Sequence, residues 1–288
     1  MSRVAEFACL AVLSVAGTAA AQGFVNFSPS GGTGFSSSRA EPRPELGVVA
    51  PLRADPAIAC ANRDADPKQC RFRWRSALKQ SALFLAIQHG GNAIGEGSVR
   101  RSFYRGPFFR RYAQALEHYR FSRWSDDDPF LVDYVAHPMM GAVVARIQVQ
   151  NEPRAMSQEV SGRGVYWRSR LRALAWATLY AFQWELGPIS ESSIGNTGSF
   201  QYWSKSAHHT TNGTGVTDLV TTPVAGTAFL IGEDVLDRYA IQRLQGISRN
   251  PAWLLAISVL NPSRSAANLL RWKSPWFRDG RVAGTPSH

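Results

Sequence analysis

The stretch HPMMGAVV, from His137 to Val144, places a histidine and a proline at the start of a strongly apolar segment. Proline disfavours helical dihedral angles in the residue before it, and it is favoured at the first position of a helix. We therefore expect an extended His137 at a helix entrance, with Pro138 as the first helical residue. This arrangement would place an ionisable ring at the end of a core helix.

A similar pattern occurs in the stretch PVAG, from Pro223 to Gly226, where glycine again follows proline by three residues. A glycine one turn inside a helix destabilises it by up to ~1 kcal/mol relative to alanine and often marks a close approach of two backbones. The two stretches therefore predict helices that pack through small residues. The small residues spaced four apart are Gly141 with Ala145, and Ala228 with Gly232.

A third segment supplies a matching face of alanines. Ala173, Ala177 and Ala181 recur every four residues, and the next position on the same face is Glu185. A glutamate in the last turn of a helix lies at the negative end of the helix dipole, and burial on an alanine face also disfavours its charge. Glu185 is therefore expected to need a proton, a cation or a hydrogen-bond donor.

We predict that His137 and Arg146 supply these groups, and that Asp218, just before a helix entrance at Thr222-Pro223, joins them in one water-poor pocket. One imidazole and two carboxylates could bind a divalent metal or act as an acid–base pair in hydrolysis. Alternatively, the side chains form a structural cluster that caps three helices, with Arg146 balancing the charge. Both interpretations stay open, and the structural one is favoured because buried charge clusters are often structural. A divalent metal is compatible with the cluster but is not required by the sequence.

His89 and Asn92 are secondary candidates for the same cleft. The sequence His89-Gly90-Gly91 is also typical of a helix end, because glycine readily adopts the backbone conformation found there. We favour helix termination at this point.

Apolar periodicity, together with proline and glycine stops, predicts helices along most of the chain after residue 70. No run of alternating strands is predicted, and each apolar run is shorter or more polar than the ~20 residues that a membrane span requires. The sequence therefore predicts an all-α fold, a compact helical bundle with crossings through Gly and Ala. The predicted helices cover residues 71–89, 108–120, 129–137, 138–150, 166–186, 223–244, 252–260 and 264–272, with a long loop at 189–215.

Residues 1–21 have the layout of a secretory signal peptide, with an arginine, an apolar run and a series of small residues. Residues 22–70 are predicted as a linker or loosely ordered arm, 71–276 as the helical domain and 277–288 as a tail. Cleavage leaves Cys60 and Cys70 in the mature chain. An even pair in an exported chain predicts a disulfide, which stabilises the fold by about 2–3 kcal/mol.

The chain carries a formal net charge of +11 and has a pI near 10.1, so its surface is basic. A basic surface suits nucleic acid, anionic lipid or other polyanions. Export argues against nucleic acid, so the expected partner is anionic lipid or an acidic polymer of the envelope. The oligomeric state is left open.

The order and spacing of the motifs resemble an uncharacterised bacterial cell-envelope family designated only as a domain of unknown function. The pattern is His-Pro-x-x-Gly, Ala-Arg, Trp-Glu at a helix end, Asp-x-x-x-Thr-Pro-x-x-Gly, Asn-Pro and a later Asn, and it covers roughly residues 71–276. A looser similarity extends to the helical envelope proteins around the teicoplanin-resistance protein VanZ. The pattern falls on His137, Pro138, Gly141, Ala145, Arg146, Trp184, Glu185, Asp218, Thr222, Pro223, Gly226, Asn261, Pro262 and Asn268.

Two functional hypotheses follow for an exported protein at the periplasmic face of a membrane. The first is a membrane-associated binding or scaffold domain of the cell envelope. The alternative is a hydrolase or metal-dependent enzyme that acts on lipid or cell-wall material through His137, Glu185 and Asp218.

Overall fold

A computed structural model of the protein describes residues 60, 68, 70–95, 99–100, 107–117, 119–126, 128–194 and 214–279. All regular elements in these ranges are helical, which confirms the predicted all-α bundle. The predicted signal peptide, most of the arm and the tail beyond residue 279 lie outside the described residues. The α-helices are α1 (Trp74–Gly95), α2 (Phe108–Glu117), α3 (His137–Asn151), α4 (Pro153–Met156), α5 (Gly164–Leu186), α6 (Glu191–Ile194), α7 (Thr217–Leu236), α8 (Gln242–Ile247), α9 (Pro251–Ser258) and α10 (Pro262–Leu269).

Helix α3 lies at the centre of the bundle. It packs most extensively against α7 and α5, and also against α10 and α1, and every residue from Met140 to Asn151 is buried. Apolar side chains of α3 such as Val144 and Ile147 form the main core with Tyr180 and Trp184 of α5. The central helix is therefore enclosed by the other helices from Met140 to Asn151, and it buries polar residues such as Arg146 as well as apolar ones.

The crossing of α3 and α7 is formed by glycines. A Cβ atom added to Gly141 would lie 1.8 Å from the carbonyl oxygen of Thr222, and one added to Gly226 would lie 2.8 Å from the Cα of Gly141. The predicted small-residue contact is therefore present at Gly141. On α7 the prediction was wrong about the face, because Ala228 and Gly232 are exposed and Gly226 makes the contact.

The chain before α3 is helical, so the extended conformation predicted for His137 is wrong. A π-helical turn, Val132–Ala136, leads directly into α3, and His137 has φ −63° and ψ −45°. The backbone N–H of His137 donates to the carbonyl of Val132, five residues earlier. The wider turn accommodates Pro138, whose ring in a regular α-helix would clash with the carbonyl four residues before it.

Two predicted helix boundaries also change. Helix α7 begins at Thr217 rather than at Pro223, so Asp218 lies in its first turn and not before it. Its path continues through a second π-helical turn, Asp237–Ile241, into α8. Helix α1 continues to Gly95, so the predicted termination at His89-Gly90-Gly91 is wrong.

The predicted disulfide between Cys60 and Cys70 is present, with the two Cα atoms 5.6 Å apart. It closes a loop just before α1 begins. The backbone N–H of Arg73 donates to the carbonyl of Asn151 over 2.9 Å, which attaches the start of α1 to the end of α3.

Candidate functional site

His137 and Asp218 lie together where the start of α3 meets the first turn of α7. His137 Nε2 is 3.3 Å from Asp218 Oδ2, and His137 Nδ1 is 3.4 Å from the hydroxyl of Thr222. Asp218 is buried and His137 is largely buried. The histidine is thus held between a carboxyl group and a hydroxyl group, both from α7.

Three further aspartates complete what we call the histidine–aspartate cluster. Donor atoms of Asp128, His137 and Asp218 lie within 4.8 Å of one another, and so do those of Asp126, Asp133 and Asp218. The sequence analysis did not select Asp126, Asp128 or Asp133. The spacing of Asp133 four residues before His137 was a usable signal, because such residues share a helix face.

Close backbone contacts hold the segment that carries Asp126 against the start of α7. The hydroxyl of Tyr119 donates to the carbonyl of Gly215 over 2.6 Å, and the N–H of Thr217 donates to the carbonyl of Trp124 over 3.0 Å. A Cβ atom on Gly215 would lie 2.6 Å from that carbonyl, so only glycine permits the approach. The position of this segment therefore depends on backbone contacts between residues far apart in the sequence, which a short sequence motif does not reveal.

Burial controls the protonation of the cluster. Burial, together with the charges of Glu185 and Asp126, raises the pKa of Asp218 to about 11. Burial and the neighbouring aspartates raise the pKa of Asp133 to about 7, whereas burial lowers the pKa of His137 to about 4. At neutral pH the imidazole is therefore neutral, and the carboxyl of Asp218 keeps a proton unless a cation replaces it.

Glu185 lies near this cluster at the end of α5. Burial and the charges of Glu191 and Asp126 raise its pKa well above the usual value. Its Oε1 atom is buried without a hydrogen-bond partner, and no arginine or lysine in the described parts of the chain forms an ion pair with it. The expected need of Glu185 for a proton or a cation is consistent with this environment.

His89 and Asn92 lie beside the end of α5 rather than in the cluster. The buried ring of His89 stacks on Trp184 with 4.3 Å between ring centroids, and burial lowers its pKa to about 4. Asn92 Nδ2 donates to Glu191 Oε1 over 3.4 Å. His89 therefore packs as a neutral aromatic ring against the residue that precedes Glu185.

Arg146 does not join His137 and Glu185, so this part of the predicted site is wrong. Its Nη2 atom is 2.9 Å from Asp234 Oδ1 and 3.5 Å from Glu233 Oε2, both near the other end of α7. Asp234 lies sixteen residues after Asp218, a separation of about 24 Å along a helix. A glutamate and an aspartate near the end of an apolar helix were the available signal, and the sequence analysis missed it.

The partners of Arg146 belong to an arginine–acid cluster that joins four helices. Asp234 also accepts hydrogen bonds from Arg170 Nε over 2.8 Å and from the Tyr166 hydroxyl over 3.0 Å, both on α5. Glu233 accepts a hydrogen bond from the backbone N–H of Ser263 on α10 over 2.9 Å. Burial opposes ionisation of Asp234, but the charges of Arg146, Arg170 and Arg264 outweigh it and lower the pKa to about 2. These contacts are structural, because the charges are paired.

The outward faces of α1, α5 and α7 are unusually apolar. No charged side chain is exposed in residues 80–95 of α1, 173–186 of α5 or 217–236 of α7. Some polar residues are buried on the inward faces of the same helices, including Gln80 and Ser81 on α1 and Thr221 on α7. We call the exposed surface the apolar belt; its large side chains are Leu83, Ile87, Ile94, Leu179, Phe182, Val220, Val224, Phe229, Val235 and Leu236.

One helical segment, Thr217–Ile247, is long and apolar enough to cross a membrane by length and composition, and half of its most apolar window is buried in the bundle. Core helices of soluble proteins share these properties, so the segment alone does not identify a span. No family model, curated protein or solved structure matches the chain. The described residues define the class as an all-α bundle with an apolar core, two buried polar clusters and an apolar belt on three helices.

Proposed function

We propose that the chain is a membrane-associated helical domain of the bacterial cell envelope, exported and bound at the periplasmic face of a membrane. The observation that supports this proposal is the apolar belt. Helices of water-soluble proteins normally expose charged side chains and bury apolar ones. Here the exposed positions in residues 80–95, 173–186 and 217–236 carry no charged side chain, while several buried positions on the same helices are polar.

The size of the belt favours a lipid bilayer over a local contact. On α7 it extends from Val220 to Leu236, which corresponds to about 25 Å of helix. Soluble monomers rarely expose continuous apolar patches of this kind, and large ones mark membrane or protein interaction sites.

Charges and aromatic rings border the belt at one end. Contacts of His89 with Trp184 and of Ser81 with Trp176 show that α1 and α5 run side by side in the same direction. Both helices begin with an exposed tryptophan and exposed basic residues, a combination typical of the lipid headgroup region. These residues are Trp74, Arg75 and Lys79 on α1, and Trp167, Arg168 and Arg172 on α5.

Vesicle flotation tests this proposal directly. The wild-type chain is expected to float with phosphatidylcholine vesicles that contain phosphatidylglycerol, and less strongly with phosphatidylcholine alone. Leu179→Glu and Val224→Glu place charges in the belt and should weaken partitioning at least about tenfold, since burying one such side chain stabilises by about 1.5–3 kcal/mol. The matched control is Ile247→Glu, an exposed apolar residue outside the belt, which should partition like the wild type.

A second copy of the chain is the competing occupant of the belt. If the belt joins two copies, Leu179→Glu converts a dimer to a monomer in sedimentation and the wild type stays out of the vesicle fraction. That result would reject membrane association.

We propose hydrolysis of envelope lipid or wall material as the second candidate function. It is supported by the position of His137, whose Nε2 atom lies 3.3 Å from a carboxyl oxygen of Asp218, since a histidine that acts as a general base must be unprotonated and oriented by a neighbour. Mass spectrometry of lipopolysaccharide, phospholipid and peptidoglycan after incubation should show a product with the wild type and with Glu159→Gln. His137→Gln should abolish it. An absent product, or one that survives this substitution, would reject the hydrolase.

A further inference from the structure

The buried acids at the two ends of α7 differ in their ion pairing. Near the end of the helix, Asp234 forms ion pairs with Arg146 and Arg170 at 2.9 and 2.7 Å. Near the start, no arginine or lysine of the described residues lies in an ion pair with Asp126, Asp133 or Asp218. These three aspartates therefore concentrate negative charge without an arginine or lysine of the described residues paired with them.

Two carboxylate oxygens in the cluster are buried and lack partners. Asp133 and Asp218 are 5% and 4% exposed, and the Oδ1 atom of each forms no hydrogen bond. Buried polar atoms in native proteins are nearly always satisfied, because an unsatisfied one destabilises the fold. Both side chains also contribute a donor atom to the same group of three, so the unsatisfied residues face a common centre.

We propose that the histidine–aspartate cluster binds two divalent cations at neighbouring positions, with Asp218 as the ligand that both share. One position is formed by Asp128, His137 and Asp218, and the other by Asp126, Asp133 and Asp218. Two ligands of one ion lie at most twice the metal–ligand distance apart. Donor atoms within 4.8 Å of one another therefore suit oxygen ligands at about 2.3–2.6 Å directly, and those at about 2.0–2.1 Å after a small approach of the side chains. Carboxylate-bridged ions about 3.5–4 Å apart are a recurring arrangement in metalloenzymes.

The donor types select the class of cation. The second position offers carboxylates only, which suit Mg²⁺, Ca²⁺ and Mn²⁺, whereas the first adds an imidazole, which suits transition metals. Mn²⁺ satisfies both positions. The charge argues for two ions as well, because four aspartates together with Glu185 carry five negative charges when ionised, and two divalent cations offset four of them.

The surroundings of His137 already resemble those of a metal ligand. Its Nε2 atom faces Asp218 Oδ2 at 3.3 Å, a separation normal for adjacent ligands of one ion, while Nδ1 faces the hydroxyl of Thr222 at 3.4 Å. A hydrogen bond to the second nitrogen typically orients a ligating histidine. Thr222 is therefore the positioning residue for His137 in this proposal.

Titration of the purified full-length chain with Mn²⁺ tests the proposal without lipid, so its outcome is independent of membrane association. Calorimetry and the electron paramagnetic resonance signal of free Mn²⁺ give the stoichiometry. We expect two ions per chain for the wild type and for Glu159→Gln, an exposed acid far from the cluster. Asp133→Asn and His137→Gln should each lose one ion, and Asp218→Asn should weaken both sites by at least a hundredfold.

Asp218→Asn is expected to fold, because asparagine closely matches the protonated carboxyl that the cation-free protein holds there. Circular dichroism checks this. If Asp218→Asn is unfolded, thermal unfolding of the wild type and of Asp133→Asn still tests the proposal. Saturating Mn²⁺ should raise the melting temperature of the wild type more than that of Asp133→Asn. A stoichiometry of zero or one for the wild type, or Mn²⁺ binding that is equal in Asp133→Asn, would overturn the proposal.

Discussion

Gly141 lies against Thr222 so closely that a Cβ atom on the glycine would fall 1.8 Å from the threonine carbonyl oxygen. The hydroxyl of the same threonine lies 3.4 Å from His137 Nδ1. The tightest contact between α3 and α7 therefore also fixes one neighbour of the candidate site. A change in helix separation at this point should be transmitted to the histidine.

Gly141→Ala should destabilise the protein strongly. Overpacking a core destabilises by about 1–3 kcal/mol and occasionally more, and here the obstacle is backbone, which has little freedom to move. Gly232→Ala is the matched control, because this glycine also lies inside a long helix, α7, but has no atom near its missing Cβ. The control should be neutral or more stable by up to ~1 kcal/mol from helix propensity. Urea unfolding of both variants measures the difference, and equal stabilities would contradict the glycine crossing.

Much of the fold could be predicted because it depends on local patterns. Proline and glycine stops located the helices, and the alanines at 173, 177 and 181 are buried as a continuous face. The predicted start of α3 at Pro138 was close, but the extended conformation of His137 was wrong because a π-helical turn leads directly into the helix. At Pro223 the rule failed, since this proline lies inside α7 and not at its start. The general preference of proline for helix starts does not reveal where the surrounding structure allows a proline inside a helical path.

The site was predictable only in part. His137 and Asp218 were brought together correctly, since each precedes the proline–glycine stretch through which α3 and α7 cross. Arg146 was assigned to Glu185 at the end of α5, whereas it pairs with Glu233 and Asp234 of α7, because helix periodicity alone does not reveal which acid on a neighbouring helix lies level with it. Asp126 and Asp128 were missed because the contacts of Gly215 that position them join residues about ninety positions apart.

Asp234→Asn should weaken the fold by about 3–5 kcal/mol, because removing one partner of a buried ion pair leaves Arg146 and Arg170 without compensation. Glu159→Gln, which removes an exposed acid 4.0 Å from Arg238, is the control and should change stability by less than ~1 kcal/mol. Chemical unfolding at neutral pH compares them. Wild-type stability in Asp234→Asn would show that the arginine–acid cluster is not structural.

The lowered pKa of Asp234 predicts that the protein loses stability in acid. The folded-state pKa of Asp234, about 2, is below the unfolded value of about 3.9. The stabilisation is therefore complete above about pH 4 and is lost as the pH falls toward 2. Unfolding measured between pH 5 and 2 should show this decline in the wild type, and Asp234→Asn should show less of it. Parallel curves for the two proteins would assign the decline to other acids.

The raised pKa of Asp133 predicts a pH dependence of stability that is opposite in sign to that of Asp234. Its folded-state pKa, about 7, is above the unfolded value of about 3.9, so the cation-free protein should lose stability as the pH rises from about 4 to 7. Asp133→Asn removes the titrating group and should flatten this part of the curve. Unfolding in the presence of a chelator measures both proteins. Identical slopes would show that Asp133 ionises in the folded state without penalty.

Glu185→Gln distinguishes a protonated buried acid from a charged one. Burial raises the pKa of Glu185 well above its usual value, so the folded protein favours the neutral carboxyl at pH values at which the unfolded chain is ionised. This difference lowers stability as the pH rises above the unfolded pKa, and glutamine, which resembles the neutral acid in shape, removes the effect. Glu185→Gln should therefore be at least as stable as the wild type at pH 7, with a smaller difference at pH 4. Glu185→Leu serves as a comparison of similar size without hydrogen-bonding groups. A loss of more than about 3 kcal/mol in Glu185→Gln at pH 7 would show instead that the folded protein depends on an ionised Glu185 whose partner is a cation.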